Sequence, residues 1–248
     1  MQRGVSPILL LVAVILALAV GAILYSSIKP QAFQNNSRIY EEPQDLADSN
    51  QAGGCASPVK FTHHFTDVST IDSIIPPVFR NSKGTMPTTL INIQGKVPLY
   101  MPTSGKLTQG SYHNEQGAQF YMWEVDVGCG TTVVFDHVTE PVEKIKRLFP
   151  ITPRDDTRTE PFDTFLEMAA GELVGHTTGT VNAHNWNFAV YDAAEKNYLW
   201  EEGEFNDRPK YYTQVCPFRY YGESMAKPYE DLFLFLDKDI SVEKNLCE

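Results

Sequence analysis

The chain has 248 residues, 42% of them hydrophobic and 21% charged, the balance of a globular protein and not of a disordered tail. Its formal net charge is −11, and no cluster of Lys and Arg interrupts the acidity, so nucleic acid is not an expected partner. Once an apolar start and a polar spacer are set aside, enough chain remains for one well-cored domain.

Val5 to Tyr25 carries no charge and consists mostly of Leu, Val, Ala and Ile. At about 1.5 Å per residue it matches the roughly 30 Å hydrocarbon layer of a bilayer. Pro7 sits in its first turn, where a missing N–H is harmless. Arg3 precedes the run and Lys29 is the first basic residue after it, a bias that leaves residues 1–4 in the cytoplasm and the C-terminal part outside. The apolar run exceeds the core of a cleaved signal peptide and is followed by no Ala-x-Ala site. Residues 26–54, rich in Gln, Asn, Ser, Asp and Glu, form a flexible stalk in this reading, and 55–248 the extracytoplasmic domain.

Within that domain the pattern is mainly strand-like. Asp67 to Ile75 reads as a helical turn. Thr88–Gln94, Val97–Met101 and Lys106–Gly110 read as strands, and Pro102-Thr103-Ser104-Gly105 as a turn. Gln119–Val127 and Thr131–His137 alternate in polarity on either side of Gly128-Cys129-Gly130 and form the clearest hairpin. Pro141–Leu148 is amphipathic and reads as a short helix opened by Pro141. Phe149–Asp163 reads as a polar insertion, and residues 171–176 as a turn and short strand. Trp186–Asp192 alternates as a strand, residues 196–208 form a charged loop, and Tyr229–Phe235 a final helix. The expected fold is mainly β, a small antiparallel barrel or sandwich with short helices behind one transmembrane helix.

Four cysteines, Cys55, Cys129, Cys216 and Cys247, contain no Cys-x-x-Cys pair, which argues against a zinc ribbon or a thioredoxin-type site. An even count outside the cytoplasm predicts two disulfides with three possible connectivities. No Gly-x-Ser-x-Gly elbow and no Gly-rich phosphate loop occurs in the sequence.

Two resemblances emerge. Gln2-Arg3-Gly4-Val5-Ser6-Pro7 before an apolar helix resembles the class III signal of archaeal type IV pilins and archaellins, which implies cleavage near Arg3-Gly4 and a structural, filament-forming alternative. The second covers residues 87–192. Val97-Pro98-Leu99-Tyr100-Met101-Pro102-Thr103-Ser104-Gly105-Lys106-Leu107 resembles the "pVyAp.dG.v" hairpin of the lysostaphin-type (LytM-like) zinc metallopeptidases. Val133-Val134-Phe135-Asp136-His137-Val138 is similar to their Tyr-Ala-His-Leu strand end, residues 170–180 to their Gly-rich turn, and Asn185-Trp186-Asn187-Phe188-Ala189-Val190 to their His-x-His-Phe-Glu-Val strand. The resemblance implies a duplicated-hybrid-motif barrel that acts on the cell envelope.

The metal chemistry does not carry over. The family binds zinc through a His and an Asp separated by three residues and the second His of His-x-His. Here Asn185 and Asn187 stand at His-x-His, and if Asp126 is the aspartate, Met122 stands where the first His belongs; amides and a thioether are poor zinc ligands. His137 matches the family's additional, non-ligating histidine and is the one candidate catalytic residue. His113, His176 or His184 could join Asp126 and His137 in a relocated zinc site, the basis of an active-hydrolase alternative, although no pair has chelating spacing. No cofactor is therefore expected. The expected groove is lined by Trp123, Asp126, Asp136, His137, Asn185, Trp186 and Asn187, and takes a cell-envelope glycan or peptide or a surface protein without catalysis. Within this resemblance the favoured disulfides are Cys129–Cys216, from hairpin turn to the chain after the barrel, and Cys55–Cys247, joining the two ends.

Overall fold

The computed structural model describes residues 58–248 apart from 83, 238, 239 and 243. The expected membrane span Val5–Tyr25, the stalk and Cys55 lie outside the described residues. Among the described residues no helix is long and apolar enough to cross a membrane.

The strands in chain order are β1 (Ile71–Ile75), β2 (Phe79–Asn81), β3 (Gly84–Met86), β4 (Leu90–Ile93), β5 (Val97–Tyr100), β6 (Gly105–Glu115), β7 (Ala118–Asp126), β8 (Thr131–Val138), β9 (Glu140–Pro141), β10 (Glu160–Met168), β11 (Leu173–Thr177), β12 (Asn185–Asp192), β13 (Gln214–Val215), β14 (Leu236–Asp237) and β15 (Ile240–Ser241). The largest sheet runs β1-β4-β12-β8-β7-β6-β10, with β13 also on β12; β5-β11-β9 form a second sheet and β14-β15-β2-β3 a third. All the strand pairings are antiparallel. The architecture is mainly β, as expected, but the barrel is not closed: β1 and β10 are opposite edges of the large sheet. The register of β10 on β6 breaks between Pro161 and Leu166. Pro161 lacks a ladder donor, and Glu160, Asp163 and Glu167 charge this edge, features that discourage further pairing.

Alternation explains which face is inside. Trp123, Val125, Phe135, Val133, Trp186, Phe188 and Val190 of the three central strands are buried in one cluster with Val97, Leu99 and Val174 of the second sheet. The open side of that layer is sealed by segments from both ends of the domain. Phe65 stacks on Phe188 at 4.2 Å and on Tyr229 at 4.7 Å between ring centroids. Tyr229 belongs to a helix at Glu223–Glu230, not to the expected Tyr229–Phe235 helix. The apolar run beyond it lies extended beside β1, with Ile74 N–H donating to Leu232 O and Leu234 N–H to Ile74 O, both at 2.8 Å. The amphipathic segment after Pro141 forms a single turn, Glu143–Lys146, that buries Ile145.

Gly110 sits where β6 and β7 are covered from outside. A Cβ there would lie 2.7 Å from both Met122 O and Phe149 Cε1, and 2.8 Å from Phe162 Cζ. Gly110→Ala is therefore expected to destabilise by about 1–3 kcal/mol through overpacking, read as a lower urea midpoint with an unchanged slope.

The bonded cysteines differ from the expected pairing. Cys216 is joined to Cys247, with Cα atoms 4.9 Å apart, so neither Cys129–Cys216 nor Cys55–Cys247 forms. The chain beyond β15 returns to the segment after β13, which brings those two residues together. Cys129 is also disulfide-bonded, with its partner outside the described residues.

Candidate functional site

β12 sorts its side chains by period two. Trp186 and Phe188 enter the core, so Asn185 and Asn187 face the other side of the sheet. Register places Asn185 opposite Asn92 of β4, Asn92 opposite Ser73 of β1, and Asn187 opposite Asp136 of β8. The result is a row of amides, a hydroxyl and a carboxylate across four strands. Asn92 Nδ2 donates to Ser73 Oγ at 2.9 Å, and Asn187 Nδ2 to Asp136 Oδ2 at 3.3 Å. Thr180 Oγ1 donates to Asn185 Oδ1 at 2.8 Å. Asn187 Oδ1 is buried without a hydrogen-bond partner among the described residues.

At the end of β8 the backbone turns sharply. His137 has φ +60°, a left-handed conformation costly for a non-glycine residue. It is held there by its surroundings. Asp136 Oδ1 accepts from His137 N–H at 2.7 Å, and Thr177 Oγ1 of β11 donates to His137 O at 2.6 Å. The ring lies between two carboxylates: Nε2 is 3.0 Å from Glu115 Oε2 of β6, and Nδ1 is 3.5 Å from Asp136 Oδ2. Burial lowers the proton affinity of His137, but Asp136 and Glu115 outweigh it and leave the pKa raised above 6.5. His113, on the same face of β6, is fully buried. Its Nδ1 is 3.3 Å from Ser111 Oγ, and its Nε2 is 4.0 Å from Glu115 Oε2. Burial is the main reason its pKa is lowered, and the charge of His137 adds to that.

Beside the row lies an open cleft of about 560 Å³ whose lining includes Asp72, Asn92, Gln94, Thr178 and His184, within the size range of ligand sites. One wall is the turn between β11 and β12. Gly179 N–H donates to Thr177 Oγ1 at 2.9 Å and Thr178 N–H to Thr139 Oγ1 at 3.2 Å. Gly179 has φ +69°, and a Cβ there would meet Asn185 N at 2.6 Å, so glycine alone lets the turn lie this close to β12.

The structure divides the residues expected from sequence. Asp136, His137, Asn185 and Asn187 share one face. Trp123 and Trp186 do not: both are fully buried in the core on the opposite face, and neither lines a groove. Asp126 lies at the turn end of β7, opposite Thr132, where its Oδ1 accepts from Gly128 N–H at 2.8 Å. Four residues of strand, about 13 Å, separate that level from Asp136. His176 sits in the second sheet opposite Pro98 and Glu140, and His184 at the cleft. The relocated set of Asp126, His137 and a third histidine therefore does not converge. His113 does come near His137, with Glu115 beside both. The family's zinc does not fit here: the Asn185 carboxamide oxygen accepts from Thr180, Asn187 is bonded to Asp136, and amides replace imidazoles. Among the described residues no group of three His, Cys, Asp or Glu side chains could hold a metal ion. Sequence reasoning missed Glu115, Asn92, Ser73 and Asp72. Glu115 is 22 positions from His137 and joins it only through β6–β7–β8 pairing.

No protein-family profile matches the chain, and no curated protein matches it significantly. Among solved structures, Helicobacter pylori Csd3 is similar with a TM-score of 0.33 and 13% identity. That match covers 71% of this chain and 39% of the other, so this chain spans well under half the length of that protein. A likeness at that distance carries neither fold nor activity across, and the architecture described above stands on its own strands and registers.

Proposed function

We propose that this domain is a non-catalytic binding module, carried outside the cytoplasm on the N-terminal apolar segment, and that it holds a glycan or peptide chain of the cell envelope. The observation that carries the reading is the row Ser73–Asn92–Asn185–Asn187–Asp136 beside an open cleft. Neutral amides both donate and accept, and so match the hydroxyl and amide groups of such polymers without requiring a charged ligand. The amides at 185 and 187 stand where the resembled peptidases carry imidazoles, which supports binding without hydrolysis. His137 is not a free base, because each ring nitrogen faces a carboxylate.

The test is co-sedimentation of the full-length protein with isolated cell-envelope polymer. If each amide contributes a net hydrogen bond of about 1 kcal/mol, Asn185→Ala together with Asn187→Ala weakens binding roughly 30-fold, measured at a temperature where the variant stays folded because the bonds to Thr180 and Asp136 are lost as well. Undiminished binding by the double variant removes these residues from the site. Release of soluble fragments by the wild type, lost with zinc chelation, overturns the reading in favour of a hydrolase.

A further inference from the structure

We propose that the Glu115–His137–Asp136 bridge is a proton-dependent clasp that fixes the β11–β12 turn, and with it one wall of the cleft. The functional meaning of the clasp rests on the binding role proposed above. The geometry runs in one chain. A doubly protonated imidazole donates from Nε2 to Glu115, while its Nδ1, 3.5 Å from Asp136 Oδ2 and without a hydrogen bond among the described residues, is held to that carboxylate by charge alone. A neutral imidazole keeps one proton, so one nitrogen lone pair then faces a carboxylate at 3.0 or 3.5 Å. The left-handed backbone of His137 is held by these contacts and by Thr177, whose hydroxyl donates to His137 O and accepts from Gly179 N–H. A second strap runs in parallel. Gln116, next to Glu115 at the tip of the β6–β7 hairpin, accepts from Asn182 Nδ2 of the turn at 3.2 Å. The hairpin tip and the His137 backbone thus both grip the segment that carries Thr178 and His184.

Among the described residues, the charged and titratable groups around the ring are Asp136 on its own strand and Glu115 and His113 on β6; beyond His113 lies Asp156, paired with Arg154 at 3.3 Å. β11 and β12 contribute the neutral Thr177 and Asn187. The sign follows from the raised affinity of His137. A base that binds its proton more tightly in the fold contributes fully below its ordinary value of 6.5, and that contribution is lost as pH rises through the raised folded value. The clasp is therefore closed below that raised value and opens as pH rises through it. His113, whose affinity is lowered, works oppositely and penalises the fold as pH falls below 6.5.

Hydrogen–deuterium exchange of the full-length protein, normalised for intrinsic rates, tests this without any ligand. In the wild type the protection of residues 177–184 relative to β12 is expected to fall about tenfold between about pH 6 and about pH 9. His137→Gln, which cannot carry the charge, shows the low protection at both values. Glu115→Gln moves the transition to lower pH. The protection of β12 reports whether each variant is folded, and Glu115→Gln carries the test if His137→Gln is not. A wild-type turn whose protection is flat across this range overturns the proposal, as does a folded His137→Gln that keeps the wild-type step. The same samples, assayed for sedimentation with envelope polymer, separate the two ideas. A pH-dependent turn in a protein that binds no polymer leaves the clasp standing and removes the binding role.

Discussion

Trp186→Ala is expected to destabilise the domain by about 3–5 kcal/mol, a loss that a urea or thermal unfolding curve reads directly. The side chain is fully buried. It lies 5.6 Å from Phe65, 6.2 Å from Phe135 and 6.2 Å from Phe188 between ring centroids. It therefore ties the central strands to the N-terminal segment that seals them, and truncation leaves a cavity that close-packed aromatic neighbours cannot collapse into. Its Nε1 is buried without a hydrogen-bond partner among the described residues. Trp186→Phe removes that unsatisfied donor while keeping most of the ring, so it costs much less than the alanine variant. The pair of variants also separates two roles. If Trp186 gripped a ligand, the phenylalanine variant would retain stability and lose affinity. A core residue predicts that affinity survives in whatever fraction remains folded, since Asn185 and Asn187 on either side point to the other face.

That last point shows what was legible in the sequence and what was not. The alternation in Gln119–Val127, Thr131–His137 and Trp186–Asp192 locates β7, β8 and β12 closely, because each has one uniformly apolar face. The same alternation separates Trp186 from Asn185 and Asn187: neighbours along a strand point to opposite faces. A groove containing Trp186 and both asparagines is therefore inconsistent with the strand that carries them, and hydrophobicity decides that the tryptophan goes inward. The second half of β6 was hidden for a different reason. Ser111 and His113 are polar yet buried, covered by the 150–158 segment, whose Arg154 N–H donates to Tyr112 O at 2.9 Å. A pattern that equates polar with exposed ends that strand at Gly110, five residues early. The Glu115–His137 contact is not encoded in any local window. It depends on how far β6 continues past Gly110 and on where β8 breaks, two features set by tertiary packing. The row from Ser73 to Asp136 likewise needs the strand order β1-β4-β12-β8, which propensity and period do not specify.

Replacing Cys216 and Cys247 together by serine is expected to cost about 3–4 kcal/mol. The bond closes a loop with a sequence separation of 31, and the chain-entropy model gives about that figure for the unfolded-state freedom it removes. For a domain of this size the loss lowers the melting temperature by roughly 10 °C. The effect should begin at the C-terminal end. Cys247 packs partly buried against the core beside buried Cys216, and nearby Tyr198 Oη donates to Lys244 O at 2.7 Å. With the bond removed, residues 232–248 should exchange their amides before β7, β8 and β12 do, because only short pairings then hold that segment. Non-reducing peptide mapping fixes the premise: a linked peptide pair containing Cys216 and Cys247 is required, and a Cys129–Cys216 pair would overturn it. The binding face should be spared at temperatures where the variant stays folded. β13, which leads into Cys216, pairs with β12 at Val190 and Tyr191, while Asn185 and Asn187 lie at the other end of that strand. The disulfide variant is thus expected to lose stability and, while folded, to keep the affinity that the double asparagine variant loses.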